Sequence, residues 1–435
     1  MAHALSSHAA SVTPSAIAAP LPRAKLIAAA SLGNGLEMFD FTVFSFFASL
    51  IGQLYFPSDT PYGSLLMAVA VFGVGFVMRP LGSMILGAYA DRAGRKAAML
   101  LTILLMGLGS LFIALTPTHA QIGIFAPLLL LVGRLLQGFS AGGEIGAATA
   151  LLLESASRGR RGFYVSWQVI SQGGSSLLGA MLAAILHGSL SEEALHSWGW
   201  RVPFLIGLLI IPVGLYIRAH VDETYQAQVT DKPEPAPVMA FLRSHTRGFL
   251  LGLLIIMSAT LMTYIILFYM PTYTTRVSHL SATTAYWMST ASSAVLMVSA
   301  LFAGLAADRF GHHKRLAAIA LVIAILNIYP AFAWLDSPDT QGLALLCRLI
   351  VVAALGMNMT AGLLLISESL PRSVRATGLA MTYAIGVTLF GGTAQFIVTW
   401  LLQVTHAPLA PAWYLISMLC IGLIGLLAFQ ERHLD

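Results

Sequence analysis

Charge is what this chain has least of. Asp, Glu, Lys and Arg make up 9% of its 435 residues, against 57% for the hydrophobic set, whereas roughly a quarter of an average soluble domain is charged. So little charge cannot cover a water-exposed globule of this size, and the chain reads as an integral membrane protein. Cysteine is nearly missing as well. Cys347 and Cys420 both lie inside apolar runs, which leaves no disulfide framework and no thiolate metal site. Neither a Walker loop nor an HExxH pair occurs, and the twelve histidines fall mostly in loops and the N-terminal tail. Nucleotide-driven pumping, enzymatic catalysis and a bound cofactor therefore have no sequence support. The formal charge of +5 is scattered in short clusters between apolar runs, which is not the footprint of a nucleic-acid-binding surface.

What is present is apolar and regularly interrupted. Residues 1–22, rich in Ala, Ser and Pro, read as a disordered tail without the basic start and compact apolar core of a signal peptide. Twelve segments then reach spanning length, at about 20 residues each: 26–51, 63–89, 97–115, 124–151, 163–187, 202–219, 248–270, 284–306, 316–334, 342–366, 377–403 and 412–429. They are too continuously apolar for barrel strands, and open sheets cannot span lipid, so the expected class is an all-α membrane protein.

Lys and Arg gather in alternate loops: Arg92, Arg95 and Lys96, then Arg158, Arg160 and Arg161, then Lys232, Arg243 and Arg247, then Arg309, Lys314 and Arg315, then Arg372 and Arg375. The other loops hold only Arg201 and Arg276, beside Asp59, Glu192, Glu193, Asp336 and Asp339. By the positive-inside rule both termini are expected in the cytoplasm.

A connection at 220–247 splits the chain near its midpoint into 23–219 and 248–435. GAYADRAG, Gly87 to Gly94, recurs as GLAADRFG, Gly304 to Gly311, 217 residues later. Arg134 recurs as Arg348, Glu154 as Glu368 and Arg161 as Arg375, each 214 residues later. Several features repeating at nearly one offset predict two homologous six-helix halves in pseudo-symmetric arrangement.

The duplicated G-x-x-x-D-R-x-G stretch between the second and third spans resembles the signature of the major facilitator superfamily. LExFDF (Leu36–Phe41), RPLG (Arg79–Gly82), GRLLQGFSAGGE (Gly133–Glu144) and WGWRVPF (Trp198–Phe204) are similar to the metabolite:proton symporters within it. GFYxSWQxxSQ (Gly162–Gln172), YMPTY (Tyr269–Tyr273) and FGG (Phe390–Gly392) look most like its citrate and tricarballylate carriers. The resemblance implies a major facilitator fold in a bacterial inner membrane, acting as a monomer by alternating access. It implies proton-coupled uptake of a tri- or dicarboxylate. A symporter of 2-oxoglutarate, shikimate or a betaine-like zwitterion, or a carboxylate exchanger, is the alternative. It also assigns the loop charges Asp91, Arg95, Glu154 and Arg161, with Asp308, Glu368 and Arg375 of the second copy, to networks that hold the halves together on the cytoplasmic side. His312 stands where Arg95 would repeat, so that latch is expected to be weaker or pH-sensitive, unless His312 is simply solvated.

Six charges lie inside predicted spans: Glu37, Asp40 and Glu144 against Arg79, Arg134 and Arg348. Each costs about 2.5 to 3.5 kcal/mol at a helix centre, so they are expected to face a wet cavity or one another. The arginines suit a polycarboxylate, and the three carboxylates are the candidates for proton coupling. Two structural readings stand beside these: a fixed Arg79–Asp40 ion pair, and helix packing at Gly138 and Gly142 around Glu144. Gln168 and Gln172, with Asn358, Tyr269 and Tyr273, are expected either to line the same cavity or to bond between helices.

Overall fold

The computed structural model describes residues 23–93, 95–142, 149, 152–153, 156–157, 159–209, 211–212, 246–370 and 375–431. The tail, most of the 220–247 connection, Glu144, Glu154 and the side chains of Asp91, Arg95 and Arg375 lie outside the described residues. We number the membrane helices by span. They are α1 Arg23–Tyr55, α2 Gly63–Ala93, α3 Arg95–Leu115, α4 Phe125–Ser140 and α5 Arg161–Ser189. The sixth span is described at 202–209 and 211–212, and its helix α6 is Val202–Gly207. α7 begins as Thr246–Met262, passes through a π-helical turn at Thr263–Tyr269 and ends as Met270–Arg276. α8 is Ala282–Phe310, α9 His313–Ala333 and α10 Gln341–Ser369. α11 is Arg375–Gly386, a second π turn Val387–Gly391, and Gly392–Thr405; α12 is Ala410–Ala428.

Helices follow from the solvent, since lipid offers the backbone no hydrogen-bond partner and every N–H must be satisfied within its own segment. α1 extends beyond its predicted 26–51 at both ends. Nothing in the sequence stops it before Pro57, which disfavours helix in the residue ahead of it.

Lipid tails are as apolar as leucine, so what holds helices together here is close packing of small residues and hydrogen bonds between helices. The pairings obey one rule. α5 lies along α8 and α2 along α11; α2 packs on α4 and α8 on α10; α3 packs on α4 and α9 on α10. Adding six to each number turns one pairing into its partner, the twofold relation that the sequence repeat requires.

Glycines set the closest approaches. Gly138 of α4 meets the Gly75 carbonyl of α2, and Gly142 meets the Arg79 carbonyl, so the GxxxG pair does serve as a helix-packing face. Gly162 of α5 crosses Gly304 of α8, and Gly73 of α2 crosses Gly392 of α11, with no room for a Cβ at either crossing.

Candidate functional site

In the most apolar stretches of α1, α7 and α10, 83%, 78% and 78% of the residues are buried, and between these helices lies a narrow cavity. Met38 of α1 and Gln172 of α5 line it from the first half. Thr260, Thr263, Tyr264, Asn358 and Tyr383 supply the polar wall from the second half. Gln172 and Asn358, two of the polar residues singled out in the sequence, both line this cavity. Asn358 leaves Oδ1 without a hydrogen-bond partner while its Nδ2 donates to Ser258 Oγ at 3.3 Å, and the Gln172 carboxamide lies against the Tyr383 hydroxyl. A buried polar atom left unbonded is costly, which makes the Asn358 carboxamide available for a polar ligand, with Gln172 and Tyr383 beside it on the wall.

The other expected cavity residues lie elsewhere. Tyr269 bonds with Thr399 at 2.9 Å, and the Tyr273 hydroxyl donates to the Pro408 carbonyl at 2.8 Å. Both are helix ties toward the outer end of the bundle, and Tyr264 and Tyr383 line the cavity instead. Tyr264 shares its face of α7 with Thr260 and Phe268, four residues to either side, and Tyr269 lies five residues beyond Tyr264, off that face. Gln168 donates to Asn34 Oδ1 at 2.8 Å and Asn34 donates to Ser171 Oγ at 2.6 Å. This carboxamide therefore ties α5 to α1, outside the cavity lining.

The charges stand behind the cavity wall. Arg79 and Glu37 are buried within electrostatic reach of Tyr264 and Tyr383. Asp40 turns away toward α3, α4 and α6. Its Oδ2 accepts from Ser110 and, at 3.2 Å, from Gln137 Nε2; its Oδ1 has no partner and faces Gly207, where any side chain would collide with it. Gln137 Oε1 in turn accepts from Arg134 Nη1 at 2.7 Å. Gln137 is thus a bridge between guanidinium and carboxylate, and it lies one turn beyond Arg134, within the GRLLQG stretch.

The Arg79–Asp40 ion pair is not formed. Phe41 stands between the two arginines, with the Arg79 guanidinium 4.5 Å from its ring centre and that of Arg134 4.7 Å away. Phe76 backs Arg79 at 4.3 Å; Phe44 and Phe72 back Arg134 at 4.4 and 5.0 Å. Desolvated cation–π contacts of this kind are worth about 2 kcal/mol and hold both arginines just outside the lining.

Among the described residues the two halves touch at both ends of the bundle. At the inner end, the one the Lys and Arg distribution assigns to the cytoplasm, Asp308 of α8 accepts from the Gly162 and Phe163 amides at 2.6 and 2.8 Å, capping the start of α5. Glu368 of α10 pairs with Arg161 of α5 at 3.3 Å and with His313 of α9 at 3.2 Å. The histidine in this latch is His313; His312, its neighbour, is exposed. At the outer end Arg276 donates to Ser49 and to the Pro61 carbonyl at 2.9 Å each, Tyr286 to the Phe46 carbonyl at 2.5 Å, and Gln395 to Ser45 at 2.5 Å.

Replacing Glu368 by Gln removes both inner pairs. Partly exposed ion pairs are worth up to about 1 kcal/mol, so the inner side should open about fivefold more often, read as faster labelling of a cysteine placed beside Gly162 from the cytoplasmic face. An unchanged labelling rate would mean that the Asp308 cap alone holds the inner end.

A cavity with a few polar groups on an otherwise apolar wall, lying between two pseudo-symmetric six-helix bundles that touch at each end, is the architecture of a membrane carrier. The chain belongs to the Major Facilitator Superfamily, whose family model matches residues 30–392. It is a multi-pass membrane transporter and not an enzyme. It is 36% identical to a citrate-proton symporter of Salmonella typhi, covering 91% of each chain. It is 33% identical to the alpha-ketoglutarate permease of Escherichia coli K12, covering 93% of each. A crystal structure of a D-xylose-proton symporter shares the fold, with a TM-score of 0.73 over 94% of this chain and 98% of that one at 18% identity.

Proposed function

We propose that the protein is a proton-coupled symporter that carries a tri- or dicarboxylate, such as citrate or tricarballylate, inward across a bacterial inner membrane, with both termini cytoplasmic. The observation that carries this reading is the charge balance of the spans. Among the described residues three buried arginines, Arg79, Arg134 and Arg348, face two buried carboxylates, Glu37 and Asp40. The likeness to a citrate-proton symporter supports it; the likeness to an alpha-ketoglutarate permease favours 2-oxoglutarate as the second reading.

Coupling follows from the Gln137 bridge. A substrate carboxylate that draws the Arg134 guanidinium toward the cavity takes it from Gln137 and from the neighbourhood of Asp40. A buried carboxylate left without its counter-charge is costly, and a proton on Oδ1 removes that cost. Anion and proton then bind more favourably together than apart, which is the free-energy coupling a symporter needs. Driving force points the same way: moving a trianion inward against 100 mV costs roughly 7 kcal/mol, at about 2.3 per charge, so accumulation requires accompanying cations.

The test is uptake of labelled citrate into proteoliposomes under an imposed inward proton gradient, with an ionophore control and tricarballylate, 2-oxoglutarate and betaine as competitors. Ionophore-sensitive uptake blocked by tricarballylate supports the reading. Block by 2-oxoglutarate alone moves the assignment to the dicarboxylate, and block by betaine alone ends the anion reading. In the same assay Gln172→Leu and Asn358→Leu should each raise KM about tenfold or more, because a hydrogen bond to a charged group is worth about 1.5 to 3 kcal/mol. Tyr269→Phe and Tyr273→Phe should leave KM within about twofold; a larger effect would mean that these tyrosines reach the substrate in another state.

A further inference from the structure

Arg348 is the least compensated charge in the described structure. It is 1% exposed, its Nη2 donates to Ser289 Oγ of α8 at 2.6 Å, and Nε and Nη1 have no partner. Arg79 and Arg134 lie against aromatic rings, and Arg134 reaches Asp40 through Gln137. Among the described residues Arg348 has neither a stacked ring nor a carboxylate in ion-pair range. It is the twofold counterpart of Arg134, on α10 as Arg134 is on α4, without the acid. Leaving a guanidinium buried and unpaired costs several kcal/mol, which favours its binding an anion.

Its place in the fold says which anion can reach it. Arg348 lies ten residues outward of the cavity residue Asn358 on the same helix, about 15 Å along the axis. Between them runs a buried hydroxyl track. Ser293, one turn inward of Ser289 on α8, donates to Ser176 of α5 at 2.8 Å, and Ser176 lies one turn outward of Gln172 on the cavity wall. The track follows the seam between the halves. Tyr286 of α8, three residues outward of Ser289, closes its outer end by donating to the Phe46 carbonyl. Breaking that contact, as outward opening must, parts α8 from α1 three residues outward of Ser289, the residue that holds Arg348.

We propose that Arg348, held by Ser289 where α10 packs on α8 inside the second half, is an anion site reached from the α5–α8 seam, taking a carboxylate of the incoming substrate before the central cavity does. The proposal rests on the polycarboxylate reading for the identity of the substrate, but not for the presence of the site. Chloride offers the same monovalent charge, so the test separates the two sources.

Thermal stabilisation of the purified full-length protein is measured in chloride-free methanesulfonate buffer with citrate, acetate and chloride as probes, for the unaltered chain, Arg348→Gln, Arg348→Lys and Ser289→Ala. Expected is a loss of apparent citrate affinity of about tenfold or more in Arg348→Gln, and of acetate stabilisation with it. Arg348→Lys should recover part of both, since lysine keeps the charge without the two-pronged geometry. If Arg348→Gln fails to fold, Ser289→Ala, which keeps the charge and frees the guanidinium, should still weaken both probes a few-fold.

Equal citrate and acetate affinities in all four proteins would overturn the proposal and leave Arg348 satisfied by water. Stabilisation by chloride that vanishes in Arg348→Gln, with citrate and acetate unaffected, would overturn the substrate part and assign the site to chloride. Failure of citrate to bind even the unaltered chain counts against the polycarboxylate reading alone, because acetate still reads the site.

Discussion

Asp40→Asn should abolish uphill accumulation of substrate while exchange of labelled for unlabelled substrate across the membrane persists. The substitution keeps the shape of the side chain and an oxygen to accept from Ser110, so the α1–α3–α4 contacts survive. What it removes is the group able to take up and release a proton beside Arg134. One pH unit across the membrane corresponds to about 1.4 kcal/mol, a tenfold ratio for each coupled proton, and that ratio should fall to one in the variant. Counterflow, which needs binding and rocking but no net proton movement, separates a lost coupling from a lost fold. Accumulation that survives Asp40→Asn but fails in Glu37→Gln would place the proton on Glu37.

Gly304→Val and Gly73→Val should both reduce transport to below about 1%, from opposite sides of the membrane. A side chain at Gly304 meets the Gly162 carbonyl and Ser166 of α5; one at Gly73 meets the Gly392 carbonyl of α11. Overpacking costs about 1 to 3 kcal/mol even where side chains can shift, and backbone carbonyls in rigid helices cannot. The cost falls only on the closed form of each seam. Gly304→Val should therefore hold the inner side open and Gly73→Val the outer side. Cysteines placed beside Gly162 and beside Gly392 report which face is accessible, and Gly342→Ala, which meets nothing within 4 Å, is the silent control. Labelling from the same face in both variants would show that the seams do not act as separate gates.

The function of the duplicated GLAADRFG stretch was legible in part. Its two conserved-looking features within this chain, Gly304 and Asp308, turn out to act on one target: the glycine lets α5 approach, and the aspartate caps the end of α5 so brought near. Spacing could place this motif at a helix end on the loop side. It could not show that the helix being capped belongs to the other half of the chain. His313 was hidden for the same reason, since a repeat comparison points to His312, and only the packing of α9 against α10 shows which ring meets Glu368.

Sequence alone determined what the solvent imposes. Low charge and twelve apolar runs dictate membrane helices, alternating Lys and Arg give an expected orientation, and one offset near 214 to 217 predicts paired halves; each of these is a local pattern or a comparison of the chain with itself. The tertiary structure decided which buried polar groups meet. Phe41 stands between Arg79 and Arg134, Gln137 joins Asp40 to Arg134, and Tyr264 rather than Tyr269 lines the cavity. Each outcome depends on how a helix face is turned toward neighbours distant in sequence, which local spacing does not encode.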